Sequence, residues 1–116
     1  MEPLFSFGTL QYEHLQRELF GRALHGSPDA LTGFRIGRVA ISDPEVVRKS
    51  GESHHPGLVV SGRSEPQITG TLFELTAGEL AAADAYEAAD YVRTRVTLES
   101  GRQAWVYVAA PGVQVE

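Results

Sequence analysis

The sequence contains no cysteine, which excludes disulfide bonds and thiolate chemistry. It also has no apolar run approaching about 18 residues, so no stretch is long enough for a membrane-spanning helix. The N-terminus lacks the basic region and long apolar run of a signal peptide. These absences fit a reducing compartment, and we expect a cytoplasmic protein without a membrane partner.

A surplus of basic residues is missing as well. The formal net charge is −5, and acidic and basic residues are mixed along the chain. A nucleic-acid-binding face needs clustered Lys and Arg, so we expect no nucleic-acid partner. The length of 116 residues and the lack of internal repeats indicate a single domain over residues 1–116. The oligomeric state stays open.

Local patterns predict the elements of the first half of the chain. Leu4–Phe7 is a short apolar strand, and Tyr12–Arg22 is a helix because its leucines recur at helical spacing. Partial alternation over residues 31–41 and the apolar run Gly57–Val60 predict two more strands. The polar segment Pro44–Gly51 is typical of a turn.

The clearest local signal lies in the second half. Residues 61–66 (SGRSEP) read as a loop, and residues 67–75 as a strand with a bend at a glycine. Thr76 and Glu79 then have the spacing of a capping box, in which each side chain bonds the other residue's backbone N–H. This signal predicts a helix that continues through residues 80–90.

Two alternating segments complete the chain. Tyr91–Leu98 and Gln103–Ala109 flank a Ser-Gly turn, which predicts a β-hairpin. The total is about six strands and two main helices, without regular strand–helix alternation. We therefore predict an α+β fold, in which a small and mostly antiparallel β-barrel is flanked by the two helices.

An acidic row marks the end of the second predicted helix. Asp84, Glu87 and Asp90 recur every three residues, so neighbouring members share a helix face. The commoner outcome for such a row is a solvated edge. Glu87, however, lies where the helix gives way to a strand, and the helix dipole disfavours an anion there. This position tends to raise its pKa, which suits a proton carrier at neutral pH.

A bare Gly-Thr turn follows the first strand. Gly8 allows a sharp bend that leaves backbone N–H groups free to hold an anion. The alternative is an ordinary strand-to-helix turn. A phosphate-binding P-loop would need Gly-Lys-Ser/Thr, and that signature is absent.

The four histidines give no metal signature. His54 and His55 are adjacent, so a strand would point them to opposite faces, and His14 and His25 are isolated. The spaced ligands of a zinc site are missing, so we expect no metal and no cofactor. A Ser/His/Asp triad has no G-x-S-x-G signature to support it. The strand aromatics are read as core residues.

Four separated pieces of the sequence carry motifs of one family, in the same order. LFSFGTLQ is similar to that family's N-terminal Tyr-Gly-Thr/Ser-Leu loop, and HPGLVVSGRSEPQITGTLFEL to its Pro-Gly-Leu segment and following strand. LAAADAYEAADYVRTRVTL resembles its acidic helix end and Tyr-x-Arg element, and AWVYV its closing strand. The ordered set covers nearly the whole chain and resembles the γ-glutamylcyclotransferase-like, or AIG2-like, proteins.

The resemblance implies a small β-barrel with a pocket between the Gly-Thr loop and the acidic helix end. It implies binding of a small γ-glutamyl substrate, whose α-amine attacks the γ-carbonyl to give 5-oxoproline and a free amine or amino acid. No cofactor or metal is implied. Glu87 corresponds to the family's proton carrier.

The resemblance also implies the substrate-binding residues. They are Phe7, Gly8, Thr9, Leu10 and Tyr91. Arg93 completes the Tyr-x-Arg element, with a pocket-shaping or structural role. Phe7 stands where the family usually has Tyr, so the phenol hydroxyl at that position is lost. Ala83 stands where the family has Leu, directly before Asp84.

Two alternatives to an enzyme remain at this point. One is a non-catalytic domain on the same scaffold that binds a glutamyl or amino-acid ligand. The other is a structural or partner-binding domain in which the acidic row is only solvated. A pocket that joins Gly8 and Glu87 would count against the second.

Overall fold

One seven-stranded sheet curls around a core and carries three α-helices in the computed structural model, which describes residues 1–61, 67–113 and 115. The strands are β1 Glu2–Ser6, β2 Gly26–Leu31, β3 Phe34–Ala40, β4 His54–Val60, β5 Ile68–Leu75, β6 Tyr91–Thr97 and β7 Gln103–Ala109. The helices are α1 Glu13–Phe20, α2 Pro44–Ser50 and α3 Ala77–Glu87, and a 3₁₀ turn covers Thr9–Gln11.

The sheet is mostly antiparallel, and its spatial order is β2-β5-β1-β7-β4-β3 with β6 also paired to β7. Strand β6 pairs with β7 along its whole length. The other edge of β7 is therefore shared by two parallel neighbours, β1 through the pair Leu4–Trp105 and β4 through the pair Leu58–Val108. Because one edge serves two strands, β1 and β4 diverge from each other, and this divergence positions the pocket described below.

Strand β1 is buried on both of its faces. Leu4 and Phe5 are each only 1% exposed although neighbouring strand residues point in opposite directions. Leu4 belongs to a core cluster that α1 and α3 join through Leu15 and Ala83, and Phe5 belongs to a second cluster inside the curl with Leu58. This double burial explains the continuous apolar run that predicted the strand.

The α+β fold class is confirmed, and so are most of the predicted elements. Helix α1 begins one residue after the predicted start and ends at Gly21, which takes the left-handed conformation with φ 74°. The capping box of α3 is complete: Glu79 N–H donates to Thr76 Oγ1 at 3.1 Å, and Thr76 N–H donates to a Glu79 carboxylate oxygen at 2.9 Å. The hairpin β6–β7 forms with the predicted strands.

The turn predicted over Pro44–Gly51 is wrong, because this segment forms helix α2. The Asp43 side chain caps it by accepting the Glu45 N–H at 2.9 Å, and Gly51 ends it in the left-handed conformation. Val46 is the one buried apolar side chain of the helix, so the segment has no hydrophobic period for a pattern to reveal.

Strand β2 was not predicted. Its sequence, GSPDAL, has neither alternation nor β-branched residues, and it contains Pro28, which is tolerated at a sheet edge. Backbone pairing with β5 from Gly26 to Leu31 places it in the sheet. The structure thus has one strand and one α-helix more than predicted. The loop predicted over residues 61–66 lies, except for Ser61, outside the described residues. In the described part of the chain, no helix has the length and apolar content needed to cross a membrane.

Candidate active site

The Gly-Thr turn leaves β1 as a 3₁₀ turn with a fixed backbone. The Gly8 carbonyl accepts the Gln11 N–H at 3.1 Å, and the Thr9 carbonyl accepts the Tyr12 N–H at 2.9 Å. The first N–H groups of such a turn find no acceptor within the turn itself. Among the described residues, the Gly8 N–H donates to the Ser6 hydroxyl at 3.3 Å. The turn can therefore present backbone donors to a ligand.

Two side chains anchor this turn to the helices. The Thr9 hydroxyl lies 3.1 Å from the Tyr86 hydroxyl of α3, and both side chains are buried. The Leu10 side chain is buried in the core, and its carbonyl accepts a bond from Gln16 of α1 at 2.8 Å. Gly8 packs so closely on β4 that an added Cβ would lie 3.1 Å from Pro56 Cγ. The turn is thus held on two sides, and Gly8 has little room for a side chain.

A pocket opens where β1 and β4 diverge. It opens to solvent, and its cavity volume is about 30 Å³. The described residues that line it are Phe5, Ser6, Phe7, Gly8, Thr9, Leu10, His55, Pro56, Glu87, Tyr91 and Tyr107. All six residues predicted to act on or bind a substrate are in this set, although they come from two distant parts of the sequence.

Glu87 is the last residue of α3, and its side chain reaches this pocket from the helical side. The residue is only 9% exposed. Burial, and secondarily the charge of the nearby Asp90, raise the pKa of Glu87 to about 8. Among the described residues, no hydrogen bond lowers the pKa of Glu87. The predicted direction of this shift is confirmed, but its main cause is burial rather than the helix dipole.

The acidic row is not a solvated edge. Asp90 is 7% exposed, and its carboxylate accepts bonds from the Ser42 hydroxyl at 3.1 Å and the Ser42 N–H at 3.4 Å. Asp84 accepts the Tyr107 hydroxyl at 2.7 Å and pairs with Arg93 at 3.1 Å. Of the three acids, only Glu87 lines the pocket within the described residues.

Two phenol groups share the pocket with the Glu87 carboxyl group. Tyr91 and Tyr107 line the pocket, and the Tyr91 hydroxyl donates to the Pro56 carbonyl at 3.2 Å. Burial raises the pKa of both phenols, and the charge of Glu87 raises each further. Both tyrosines therefore stay neutral at physiological pH, and the pocket keeps a low-polarity wall beside its one acid.

His55 is a site residue that the sequence reasoning missed. It is 3% exposed, its Nε2 lies 2.9 Å from the Ser50 hydroxyl, and its ring stacks on Tyr86 with a centroid distance of 6.2 Å. Burial lowers the pKa of the imidazole, so His55 is mostly neutral at pH 7. The expectation that His54 and His55 face opposite ways was correct. Because neighbouring strand residues point to opposite faces, this pair of histidines could have indicated that one of them faces inward.

Tyr107 was assigned to the core from its strand alone, and it proves to lie in the core and the pocket wall together.

Among the described residues, no group of three or more His, Asp or Glu side chains is arranged to hold a metal ion.

Comparisons with known proteins give the family and the fold. The family described as gamma-glutamyl cyclotransferase, AIG2-like, matches residues 4–116. No curated protein sequence matches the chain. Among solved structures, one described as a gamma-glutamyl cyclotransferase is 10% identical with a TM-score of 0.74, over 98% of this chain and 69% of that one.

Two further structures are similar. A solution structure from Arabidopsis thaliana is 19% identical with a TM-score of 0.72, over 97% of this chain and 71% of that one. A crystal structure of an AIG2-like protein from Mus musculus is 19% identical with a TM-score of 0.63, over 100% of this chain and 86% of that one. Identities this low show a shared fold only. With the match over residues 4–116, the chain belongs to the gamma-glutamyl cyclotransferase, AIG2-like family.

Proposed function

We propose that the protein is a γ-glutamyl cyclotransferase, which converts a small γ-glutamyl compound into 5-oxoproline and a free amine or amino acid. The observation that carries the proposal is the position of Glu87, a buried carboxyl group with a raised pKa that faces the Gly-Thr turn across one pocket. Family membership supports the same reaction class.

Proton transfer is the task for Glu87. The α-ammonium group of the substrate cannot attack until it loses a proton. The pKa of Glu87, raised from 4.5 to about 8, lies closer to that of an ammonium group than an ordinary carboxyl pKa does. Transfer of a proton from the ammonium to the carboxylate therefore costs less free energy than it would with an ordinary glutamate. Such general acid–base catalysis is typically worth roughly 10²–10⁴-fold.

The proton balance follows from one carboxyl group. Glu87 accepts a proton from the α-ammonium, and the free amine attacks the γ-carbonyl to form a five-membered ring. Glu87 then donates that proton to the leaving nitrogen as the carbon–nitrogen bond breaks. The ring nitrogen loses a second proton, which the same carboxylate passes to the released amine. No oxidant, metal or cofactor is consumed.

The Gly-Thr turn supplies the binding groups. The N–H groups at Gly8, Thr9 and Leu10 are suited to a carboxylate or a carbonyl oxygen of the glutamyl group. The rings of Phe7 and Tyr91 line the pocket and offer apolar contact to the methylene groups of the glutamyl chain. Because the attack is intramolecular, holding the folded conformer supplies much of the rate.

The test is Glu87→Gln, assayed by mass for 5-oxoproline release from a panel of γ-glutamyl amino acids and γ-glutamyl amines. We expect product from the wild type and a loss of at least about 100-fold in the variant. Glu99→Gln, which changes an exposed carboxylate, is the matched control and keeps full activity. Full activity in Glu87→Gln would refute the assigned role.

A second candidate is a non-catalytic domain that binds a glutamyl or amino-acid ligand in the same pocket. The raised pKa of Glu87 favours it in one respect, because a protonated carboxyl group can donate to a ligand oxygen without acting as a base. Saturable binding of the panel compounds to the wild type, with no 5-oxoproline formed, would support this candidate instead.

A further inference from the structure

The pocket has one acid and, among the described residues that line it, no Lys or Arg. Its backbone donors come from the Gly-Thr turn, so a ligand carboxylate belongs there. A ligand ammonium group has three N–H donors that point in different directions, so acceptors beside Glu87 would satisfy more of them.

Tyr107 has its proton directed out of the pocket. Its hydroxyl donates to Asp84 Oδ1 at 2.7 Å, and the residue is buried and lines the pocket. A phenol oxygen that donates its only proton outward has just lone pairs left for a ligand. A charge-assisted bond of this kind also makes the phenol oxygen a stronger acceptor.

Asp84 cannot reverse this direction, because Arg93 holds its other oxygen. The Arg93 guanidinium lies 3.1 Å from Asp84 Oδ2, and it sits over the Trp105 ring with its central carbon 4.4 Å from the centroid. Arginine has donors only, so both Asp84 oxygens act as acceptors, one toward Arg93 and one toward Tyr107. The three side chains form one chain that runs from the partly exposed surface to the pocket wall.

We propose that Asp84, held by Arg93, is a positioning residue that fixes the Tyr107 hydroxyl as an acceptor for the α-ammonium group of the substrate, beside Glu87. The identity of the ligand as a γ-glutamyl compound rests on the proposed function. The alternative is a purely structural tie, in which the Asp84–Tyr107 bond only attaches α3 to β7.

The variant Asp84→Asn separates the two. The amide must turn its oxygen to Arg93, because Arg93 offers only donors, and so its NH₂ group faces Tyr107. The bond between α3 and β7 survives, but its direction is inverted, and the Tyr107 hydroxyl now donates into the pocket. A structural tie predicts little change, whereas the proposal predicts that ammonium recognition is lost.

The experiment measures binding by calorimetry with two probes. One is L-glutamate, whose ionised γ-carboxylate is not attacked by the α-amine, and the other is glutarate, which is the same molecule without the α-amine. We expect the wild type to prefer the first probe, and Asp84→Asn to lower that preference by roughly 10- to 100-fold, the value of a hydrogen bond to a charged group. Affinity for the second probe stays unchanged.

Two further variants complete the design. Glu79→Gln changes a different acid of α3 that pairs with Arg22 away from the pocket, and it keeps the wild-type preference. Tyr107→Phe removes the acceptor itself, so it carries the test if Asp84→Asn does not fold, and it should lose the preference equally. A wild-type preference retained in either pocket variant, or no preference in the wild type, overturns the proposal.

Release of 5-oxoproline is measured on the same proteins, so failure of the two proposals can be told apart. A preference that depends on Asp84 without 5-oxoproline formation refutes the cyclotransferase and leaves the ammonium site standing. Formation of 5-oxoproline with an unchanged preference in Asp84→Asn refutes the positioning role and leaves the cyclotransferase standing.

Discussion

Glu87 makes the stability of this protein depend on pH in an unusual direction. Its pKa rises from the ordinary 4.5 to about 8 on folding. Between these two pH values the folded chain holds a proton on Glu87 that the unfolded chain has lost. Folding is therefore favoured at the acidic end of this window, and the contribution of Glu87 falls as pH rises toward 8.

The size of this effect follows from the shift. Each unit of pKa difference corresponds to about 1.4 kcal/mol, so the window is worth on the order of 3–5 kcal/mol, with the lower figure allowing for water entering the pocket. Glu87→Gln carries no titrating proton. The unfolding free energy of the wild type relative to this variant should therefore fall by about 1.4 kcal/mol for each pH unit within the window.

Urea denaturation of both proteins at about pH 5.5, 6.5 and 7.5 measures this difference. Changes common to both proteins, including the titration of His55, cancel in the comparison. We expect the variant to gain stability relative to the wild type by about 3 kcal/mol between the extreme pH values. A difference that is equal at all three pH values would refute the reasoning, because Glu87 would then not be a buried acid that folds in its neutral form.

Two other predictions concern the Gly-Thr turn and its support. Thr9→Val and Tyr86→Phe should each lower the unfolding free energy by about 1–2 kcal/mol, because each leaves a buried hydroxyl short of a partner. The double variant should lose less than the sum, and strict additivity in urea denaturation would contradict a direct bond. Gly70→Ala should cost about 1–3 kcal/mol, because the new methyl overlaps the Ser6 carbonyl oxygen at the end of β1. An unchanged thermal midpoint for Gly70→Ala would show that β1 can shift away.

Local signals in the sequence predicted the parts of the fold that local interactions control. The capping box of Thr76 and Glu79 needs only residues three apart, and it forms as predicted. Helix α2 depends on the Asp43 cap and on one buried valine, and strand β2 depends on pairing with β5. Neither leaves a periodic hydrophobic pattern in its own sequence. The end signals of α2, Asp43 before Pro44 and Gly51 after the last turn, are present, but the prediction relied on periodicity and missed them.

The residues of the candidate site likewise fall into two groups, those marked by a local feature of the sequence and those that only the folded chain brings to the site. Gly8 and Glu87 are marked by local features, a glycine after a strand and an acid at a helix end, and the family resemblance decided in favour of a site. His55 and Tyr107 could not be selected in this way, because their relevance comes from which strands lie beside β1 and β7. A raised pKa of Glu87 was predicted from the helix end, but most of the shift comes from burial that only the folded chain provides.

The shared edge of β7 has a consequence for how this fold can diversify. The cavity exists because two strands leave one edge in different directions, so its location depends on the path of the backbone rather than on the side chains that face it. Substitutions of the side chains that line the pocket can then change the bound ligand, while the backbone that forms the cavity keeps its path. A solved structure that is 10% identical to this chain has a TM-score of 0.74, so the backbone path persists although most side chains differ. In this view the backbone sets where a ligand can bind, and the side chains set which ligand it is.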